Sequence, residues 1–191
     1  MLVLASASPR RQELLRSAGI PFEVHPSNVP ETPAPGQLPK TFAERLACEK
    51  AQTVAKNFPK DCVLGADTIV VLDNRVLGKP RDAEDAARML RMLSGRTHQV
   101  ITGVCLQVDG QWTVASETTS VTMSEISEKE IADYIATGEP VDKAGAYAIQ
   151  GIASRWIPRI EGDYSNVVGL PVALVVKMLK VSGHWPVIPE Q

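Results

Sequence analysis

Residues 62–72 read Cys62-Val63-Leu64-Gly65-Ala66-Asp67-Thr68-Ile69-Val70-Val71-Leu72, and this apolar run decides the fold. It predicts a long strand interrupted by one acid, Asp67. The pair Asp73-Asn74 that follows is typical of a two-residue hairpin turn, which leads into a second short strand at Arg75-Val76-Leu77. The chain therefore folds around a strand that carries one carboxylate among apolar side chains.

Helices and strands alternate on both sides of this run. Apolar runs, capping residues, glycines and prolines predict further strands at residues 2–5 and 22–25, a hairpin of residues 97–108 and 112–123 about Asp109-Gly110, and a strand pair ending near Asn166. The same signals predict helices capped by Ser8, by a Thr41–Glu44 capping box, by Asp82 and by a Ser127–Glu130 capping box, and a last helix opened by Pro171. Hairpins beside helical crossovers indicate an α/β fold, with a mixed β-sheet and flanking helices. We expect a single domain over residues 1–191, with two lobes around a central cleft.

The composition is that of an ordinary globular protein. Of 191 residues 44% are hydrophobic and 22% are charged, and the formal net charge of −2 argues against a broad nucleic-acid or membrane footprint. The three cysteines are far apart and lie in apolar segments, which favours core thiols in a reducing compartment. Since no run has the length of a membrane span and the N-terminus lacks the basic region of a signal peptide, we predict a cytoplasmic protein.

The turn Ser6-Ala7-Ser8-Pro9-Arg10-Arg11 is the first of four candidate site segments. The N-terminus of a helix presents free N–H groups and a positive dipole end, and here a hydroxyl and two arginines stand beside it. This is the chemistry of a phosphate-binding turn. A capped surface helix with solvated arginines explains the motif equally well.

Asp67 is the second candidate. A carboxylate without a partner is costly in an apolar strand, so we expect Asp67 to be paired, metal-bound or exposed in a cleft. The alternative is a structural aspartate that accepts hydrogen bonds from the backbone or from Thr68. The small neighbours Gly65 and Ala66 leave room for a ligand and favour the functional interpretation.

Two lysines complete the set of candidates. Lys50 lies on a helical row with Phe42, Leu46 and Val54, so that it either extends to solvent or reaches into a cleft toward an anion. Lys79 follows Gly78 in a short loop before a helix, where it is either an anion ligand or a solvated turn residue.

The motifs of several common enzyme classes are absent. The sequence contains neither a Walker A loop, a Gly-x-Gly-x-x-Gly fingerprint, nor a Gly-x-Ser-x-Gly elbow. What remains is one strand carboxylate, two lysines, an arginine pair and one loop acid, Glu31. This inventory suits metal-assisted attack on a phosphoryl group better than acyl transfer.

Seven stretches of the chain resemble the Maf-like nucleotide pyrophosphatases. They occur in family order and together reach from about Leu2 to Leu179: residues 5–15, 45–51, 65–68, 78–82, 93–103, 142–151 and 167–171. Some of these stretches are common when taken singly, whereas the complete set is highly specific. One position departs from the pattern, because many relatives have an acid where this chain has Pro30. Residues 184–191 correspond to no family role.

The resemblance implies an elongated fold with a cleft between two lobes, related to the inosine triphosphate pyrophosphatases, and commonly a homodimer. It implies hydrolysis of a nucleoside triphosphate between the α- and β-phosphates, with Mg²⁺ or Mn²⁺ as the cofactor. The matching residues are Asp67 as the catalytic group, Ser8 and Arg11 as phosphate contacts, Lys50 and Lys79 as further substrate-binding residues, and Asp67 with Glu31 as metal ligands.

The same resemblance extends to substrate choice. The dTTP/UTP branch carries arginine, threonine and glutamine at its selective positions, which match Arg10, Thr68 and Gln150 here. The 7-methyl-GTP branch tends to carry tryptophan, glutamine and glutamate. A glutamine amide can pair with the O4/N3–H edge of uracil or thymine. We therefore expect dTTP and UTP as substrates, with CTP and modified pyrimidine nucleotides as further candidates.

Two alternatives stay open at this point. One is a regulator of septum formation that senses nucleotides or binds nucleic acid without turnover. The near-neutral charge and the lack of an aromatic-basic stacking surface argue against its nucleic-acid form, and no stable nucleic-acid or membrane partner is expected. The other is a purine-specific house-cleaning pyrophosphatase, which a panel of triphosphates would distinguish.

Overall fold

The central strand, β3, spans Cys62–Leu72 as the sequence predicts. The computed structural model describes residues 1–185 and places β3 inside a seven-stranded mixed sheet of order β2-β1-β3-β5-β6-β7, with β4 paired to β3. The other strands are β1 (Leu2–Leu4), β2 (Glu23–Val24), β4 (Arg75–Leu77), β5 (Thr97–Val108), β6 (Gln111–Thr122) and β7 (Arg159–Glu161). The helices are α1 (Pro9–Ser17), α2 (Pro39–Ala55), α3 (Ala83–Leu93), α4 (Glu128–Ala136), α5 (Tyr164–Val168) and α6 (Val172–Val181), with short 3₁₀ turns between α4 and β7.

Both predicted hairpin turns are present. Asp73 and Asn74 have φ values of 50° and 61°, and Asp109 and Gly110 have φ values of 49° and 78°. Positive φ at both central residues is the geometry of the tight turn that matches the twist of antiparallel strands. The first hairpin folds β4 back onto the end of β3, and the second makes β5 and β6 the longest pair of the sheet.

One edge of β3 is paired only at its two ends. β5 pairs with β3 from Val63 to Val71 on one side. On the other side β1 covers residues 62–64 and β4 covers residues 70–72. Within the described part of the chain no strand pairs with residues 65–69 on that side. Because β1 is parallel and β4 antiparallel to β3, both strands end at this gap, with Asp67 at its centre.

Helices cover both faces of the sheet. On one face α2 packs against Val3, Val63 and Cys105. On the other face, residues of α1 and α6 pack against Leu4 and Leu64. A separate core lies beyond the gap, where α3 and α4 pack on the far ends of β3, β5 and β6. The sheet thus joins two packed regions, and the gap in β3 lies where they meet.

Two predicted details are wrong. The capping box at Thr41–Glu44 does not open α2, which begins at Pro39 without a side-chain cap, since the fixed φ of proline suits the first helical turn. The Glu44 carboxylate instead accepts a hydrogen bond from Ser116 Oγ at 2.7 Å. The predicted strand pair before Asn166 is a single short strand, β7, because Asp163 accepts hydrogen bonds from the N–H groups of Ser165 and Asn166 and starts α5.

The C-terminal stretch without a family role, residues 184–191, lies largely outside the described residues, which end at Trp185. No helix within residues 1–185 is both long enough and apolar enough to cross a bilayer.

We expect Gly65→Ala to destabilise the fold by about 3 kcal/mol, because inserting a methyl group into a packed contact forces the backbone to shift. A Cβ atom at Gly65 would lie 2.1 Å from the carbonyl oxygen of Ala47 and 2.8 Å from the amide nitrogen of Ala51, both in the backbone of α2. Urea unfolding measures the loss. Gly78→Ala is the matched control, since no atom lies within 4 Å of its added Cβ. Equal stabilities of the two variants would contradict the close α2–β3 contact.

Candidate active site

A cavity of about 430 Å³ opens at the gap in β3. Pockets of this size suit small-molecule ligands such as nucleotides. All nine residues that the sequence singles out line it: Ser8, Arg10, Arg11, Glu31, Lys50, Asp67, Thr68, Lys79 and Gln150. Asp67 and Thr68 are neighbours on a strand and point to opposite faces, and both reach the cavity because the strand edge between them is open.

Lys50 joins the two carboxylates of the site. Its ammonium donates to Asp67 Oδ1 at 2.5 Å and to Glu31 Oε1 at 2.7 Å. Lys50 is 8% exposed and Asp67 is 5% exposed. The row of α2 that carries Lys50 thus faces β3, and of the two predicted fates for this lysine the structure shows the one inside the cleft.

The two carboxylates have opposite electrostatic environments. Burial raises the pKa of Asp67, and the positive charges of Lys50 and Arg11 offset only part of this effect. Burial also acts to raise the pKa of Glu31, but the hydrogen bond and charge of Lys50, with the charges of Lys79 and Arg11, lower it overall. Glu31 is therefore held as the anion, whereas Asp67 has an increased affinity for a proton.

Lys79 lies at the mouth of the cavity. Its ammonium is 3.7 Å from Glu31 Oε2, and its side chain is 59% exposed. It extends from the loop after β4, beside the gap. An exposed ion pair of this kind is weak, so an incoming anion can take the place of Glu31 at the ammonium of Lys79.

Arg11 is held from several sides. Its Nε donates to the carbonyl oxygen of Gly169 at 2.8 Å, and its terminal nitrogens donate to Ser6 Oγ and Thr68 Oγ1, both at 3.1 Å. Burial lowers the pKa of this guanidinium. The side chain of Ser8 accepts a 3.5 Å hydrogen bond from the backbone N–H of Arg11 and caps α1. The arginine is fixed with its positive charge at the cavity wall.

The hydroxyl of Thr68 is fully used inside the protein. It donates to the carbonyl oxygen of Gly169 at 3.1 Å, accepts from Arg11 and lies 2.9 Å from Thr102 Oγ1. A threonine hydroxyl has one proton and two lone pairs, so this set saturates it. The hydroxyl of Thr68 therefore has no free hydrogen-bonding position for a ligand.

The remaining two predicted residues also line the cavity. Gln150 is exposed in the turn before a 3₁₀ segment, and Arg10 is half-buried in the first turn of α1. The pKa of Asp142 is lowered mainly by the hydrogen bond that it accepts from Lys143. The positive charge of Arg10 lowers the same pKa more weakly.

Three further residues line the cavity although the sequence alone gives them no role: Ser6, Lys143 and Tyr147. Ser6 binds Arg11 as described, and the hydroxyl of Tyr147 lies 2.7 Å from Nε2 of the buried His98. Lys143 and Tyr147 stand in the 142–151 stretch that carries the family resemblance, and this stretch was the only available signal for them.

With this geometry in place, comparison with known proteins identifies the family. The sequence model of the Maf-like proteins matches residues 1–182. The chain belongs to the Maf-like family. A dTTP/UTP pyrophosphatase of Koribacter versatilis is 61% identical over 182 residues, which cover 95% of this chain and 94% of that protein. A dTTP/UTP pyrophosphatase of Symbiobacterium thermophilum is 52% identical over 183 residues, which cover 96% and 94% of the two chains.

The site of this Maf-like chain can accept a divalent cation. Asp67 Oδ1 and Glu31 Oε1 both accept hydrogen bonds from the ammonium of Lys50, so the two carboxylates are close enough to share one cation. Mg²⁺ is commonly bound by one or two protein carboxylates together with substrate phosphates. No cluster of three or more His, Cys, Asp or Glu side chains suited to a metal occurs within residues 1–185. Two carboxylates together with substrate phosphate oxygens would make up such a donor set.

From the raised pKa of Asp67 we predict how its replacement changes the stability of the fold. A carboxyl group that binds its proton more tightly in the folded than in the unfolded state lowers stability once it is ionised. At pH 7 we therefore expect the free energy of unfolding of Asp67→Asn, measured with urea, to equal or exceed that of the wild type.

Asp85→Asn is the matched comparison. Asp85 is buried at the start of α3, and hydrogen bonds from the side chain of Arg88 and the backbone of Arg81 lower its pKa. Its ionised form stabilises the fold above the unfolded pKa, and this contribution is lost as the pH falls. Replacing it should cost about 2 kcal/mol at pH 7, as for hydrogen bonds to charged groups. Equal losses in the two variants would contradict the electrostatic difference.

Proposed function

We propose that this Maf-like protein hydrolyses dTTP and UTP between the α- and β-phosphates, releasing the nucleoside monophosphate and pyrophosphate. The observation that carries the proposal is the buried Asp67 with a raised pKa, beside Lys50 and Glu31, in a nucleotide-sized cavity lined by several cations. The dTTP/UTP pyrophosphatases of two bacteria, more than 50% identical over nearly the whole chain, support the same substrates. House-cleaning of nucleotide pools is the corresponding cellular role.

Asp67 is the general base of the proposed reaction. Its raised pKa makes it a stronger base than an exposed aspartate, while Lys50 keeps it ionised and oriented. It accepts a proton from a water molecule, which attacks the α-phosphorus in line with the departing pyrophosphate. A Mg²⁺ or Mn²⁺ ion held by Asp67 and Glu31 would supply neutralisation of the phosphate charge.

Positive side chains bind the triphosphate. Arg11 is immobilised with its charge at the cavity wall, and Lys79 sits at the mouth in a weak ion pair. Ser8 and the free N–H groups of the first turn of α1 offer further donors to a phosphate oxygen. Preorganised donors of this kind stabilise charge that develops in the transition state.

Base selection belongs to Arg10, Thr68 and Gln150. Gln150 is exposed to the cavity and can present both its amide donor and its acceptor to the O4/N3–H edge of a pyrimidine. Because its hydroxyl is saturated, Thr68 contributes a methyl surface and fixes Arg11. CTP and modified pyrimidine nucleotides are further candidate substrates.

The protein works, in this proposal, in the cytoplasm as a homodimer. Its three cysteines are free thiols, which suits a reducing compartment. The alternative function, a nucleotide-sensing or nucleic-acid-binding regulator of septum formation without turnover, requires neither an ionised Asp67 nor pyrophosphate release.

Asp67→Asn should lower kcat by about a hundred- to ten-thousand-fold, the usual contribution of a general base. The loss is measured as pyrophosphate release from a panel of dTTP, UTP, CTP, ATP and GTP. Running the panel with and without EDTA tests the need for a metal, and the purine nucleotides in it test the purine-specific alternative. Asp109→Asn, in the exposed turn between β5 and β6, is the control and should match the wild type. Near-normal release by Asp67→Asn would remove this residue from the mechanism, and no release by the wild type would favour the regulator.

Gln150→Glu should lower kcat/KM for dTTP and UTP by about tenfold or more, because a carboxylate cannot donate to the O4 carbonyl of the base. The same panel of triphosphates, compared with that of the wild type, gives the change in selectivity. Glu139→Gln would be an unsuitable control since Glu139 Oε2 accepts from the N–H of Ile152 beside this turn. Gln37→Glu, in the loop before α2, makes the same chemical change outside the cavity. An unchanged ranking of nucleotides in Gln150→Glu would refute base recognition by this amide.

A further inference from the structure

Five cationic side chains line the cavity, and three of them are bound to groups of the site itself. Arg11 is held by Ser6, Thr68 and Gly169, as described above. Lys50 is shared by Asp67 and Glu31, and Lys79 faces Glu31. The other two are Arg10, which the proposed function assigns to base selection, and Lys143, which has no assigned role.

The side chain of Lys143 is mostly buried, whereas its ion-pair partner Asp142 is exposed. Its side chain is 15% exposed, and its Nζ donates to Oδ1 of the adjacent Asp142 at 2.6 Å. The Asp142 side chain is 75% exposed. Ion pairs with a solvated partner contribute little to stability, so an anion that enters the cavity can take the place of Asp142 at low cost.

The backbone fixes Lys143 near the phosphate-binding end of the site. The N–H of Gly145 donates to the carbonyl oxygen of Gly78 at 3.0 Å, which attaches the turn after Lys143 to the loop that carries Lys79. Gly145 has a φ of 69°, and a Cβ there would lie 2.9 Å from the side chain of Val70. This close approach holds the 143–146 turn against β3, so that Lys143 and Lys79 come from two loops that are bonded to each other.

We propose that Lys143 is a further substrate-binding residue, whose ammonium binds the β- and γ-phosphates of a nucleoside triphosphate by exchanging Asp142 for them. The proposal rests on the proposed function for the identity of the ligand. Asp142 then acts as an internal competitor, since its carboxylate occupies the ammonium until the polyphosphate arrives.

If this exchange occurs, replacing the two members of the ion pair should change the affinity for the polyphosphate in opposite directions. Lys143→Gln removes the cation and should weaken binding of the polyphosphate. Asp142→Asn removes the competing anion and should strengthen it. If the pair only stabilised the turn, both substitutions would break the same contact and would change the affinity in the same direction.

Titration calorimetry with the non-hydrolysable α,β-imido analogue of dTTP, and separately with dTMP, tests the inference. We expect Lys143→Gln to raise the Kd of the analogue about ten- to a hundred-fold, as for the loss of a charge-assisted hydrogen bond, and to leave the Kd of dTMP unchanged. Asp142→Asn should lower the Kd of the analogue a few-fold. Lys143→Arg, which keeps the charge, should recover most of the affinity and serves also if the glutamine variant folds poorly.

The matched control is Lys129→Gln. Lys129 donates to Asp133 at 2.7 Å on the exposed face of α4, outside the cavity, and its removal makes the same change of charge. Equal weakening by Lys129→Gln would overturn the proposal, because it would reflect net charge alone. The proposal would also be overturned if Lys143→Gln weakened dTMP binding as much as analogue binding. The same holds if Lys143→Gln and Asp142→Asn shifted the Kd of the analogue in the same direction.

The failure of this inference can be told apart from a failure of the proposed function. Pyrophosphate release by the wild type is measured separately from binding. If the wild type releases pyrophosphate while Lys143→Gln binds the analogue normally, only the role of Lys143 is refuted. If the wild type binds the analogue in a Lys143-dependent way without releasing pyrophosphate, the role of Lys143 stands and the proposed hydrolysis falls.

Discussion

The unpaired stretch on one edge of β3 is the constraint on which the rest of the site depends. β1 pairs with β3 only up to Leu64 and β4 only from Val70 onward, so that within the described chain residues 65–69 lack a partner strand on this edge, while β5 pairs with them on the other. The segments that leave β1 and β4, the turn into α1 and the loop with Lys79, are thereby directed to the same opening. Ligand sites at the ends of strands where the chain diverges are a general property of open α/β sheets.

The gap also explains how a carboxylate persists in the centre of an apolar strand. α2 lies against β3 at Gly65 closely enough for Lys50 to reach Asp67, and the loop before α2 brings Glu31 to the same ammonium. The pair compensates burial only in part, since the pKa of Asp67 stays raised. A residue that is ionised at a cost in stability is typical of a site kept for chemistry and not for folding.

The cavity holds one compact group of charged side chains together with residues from other loops. Asp67, Lys50 and Glu31 form a compact charged group on one side, joined to Lys79 at the mouth. Gln150 and Arg10 line the same cavity, and the saturated hydroxyl of Thr68 accepts a hydrogen bond from Arg11. Under the proposed function, changes to Gln150 and Arg10 should alter substrate choice without altering the acid–lysine group. The 143–146 turn touches both regions, because it is bonded to the Gly78 loop and precedes Gln150.

The sequence by itself determined the central strand, both tight hairpin turns, the caps at Ser8, Asp82 and Ser127, and the mixed α/β class, since these follow from local apolar runs and local hydrogen bonds. It also singled out nine residues that line one cavity, seven of them from the residue pattern itself and Thr68 and Gln150 through the family resemblance. Only the tertiary structure decided that Lys50 bridges Asp67 and Glu31, that the Thr68 hydroxyl is saturated by protein groups, and that Lys143 lines the same cavity. The start of α2 and the course of the chain before Asn166 were predicted wrongly from local motifs. Such contacts join residues far apart in the chain, and their partners are chosen by packing across the sheet, which no local pattern specifies.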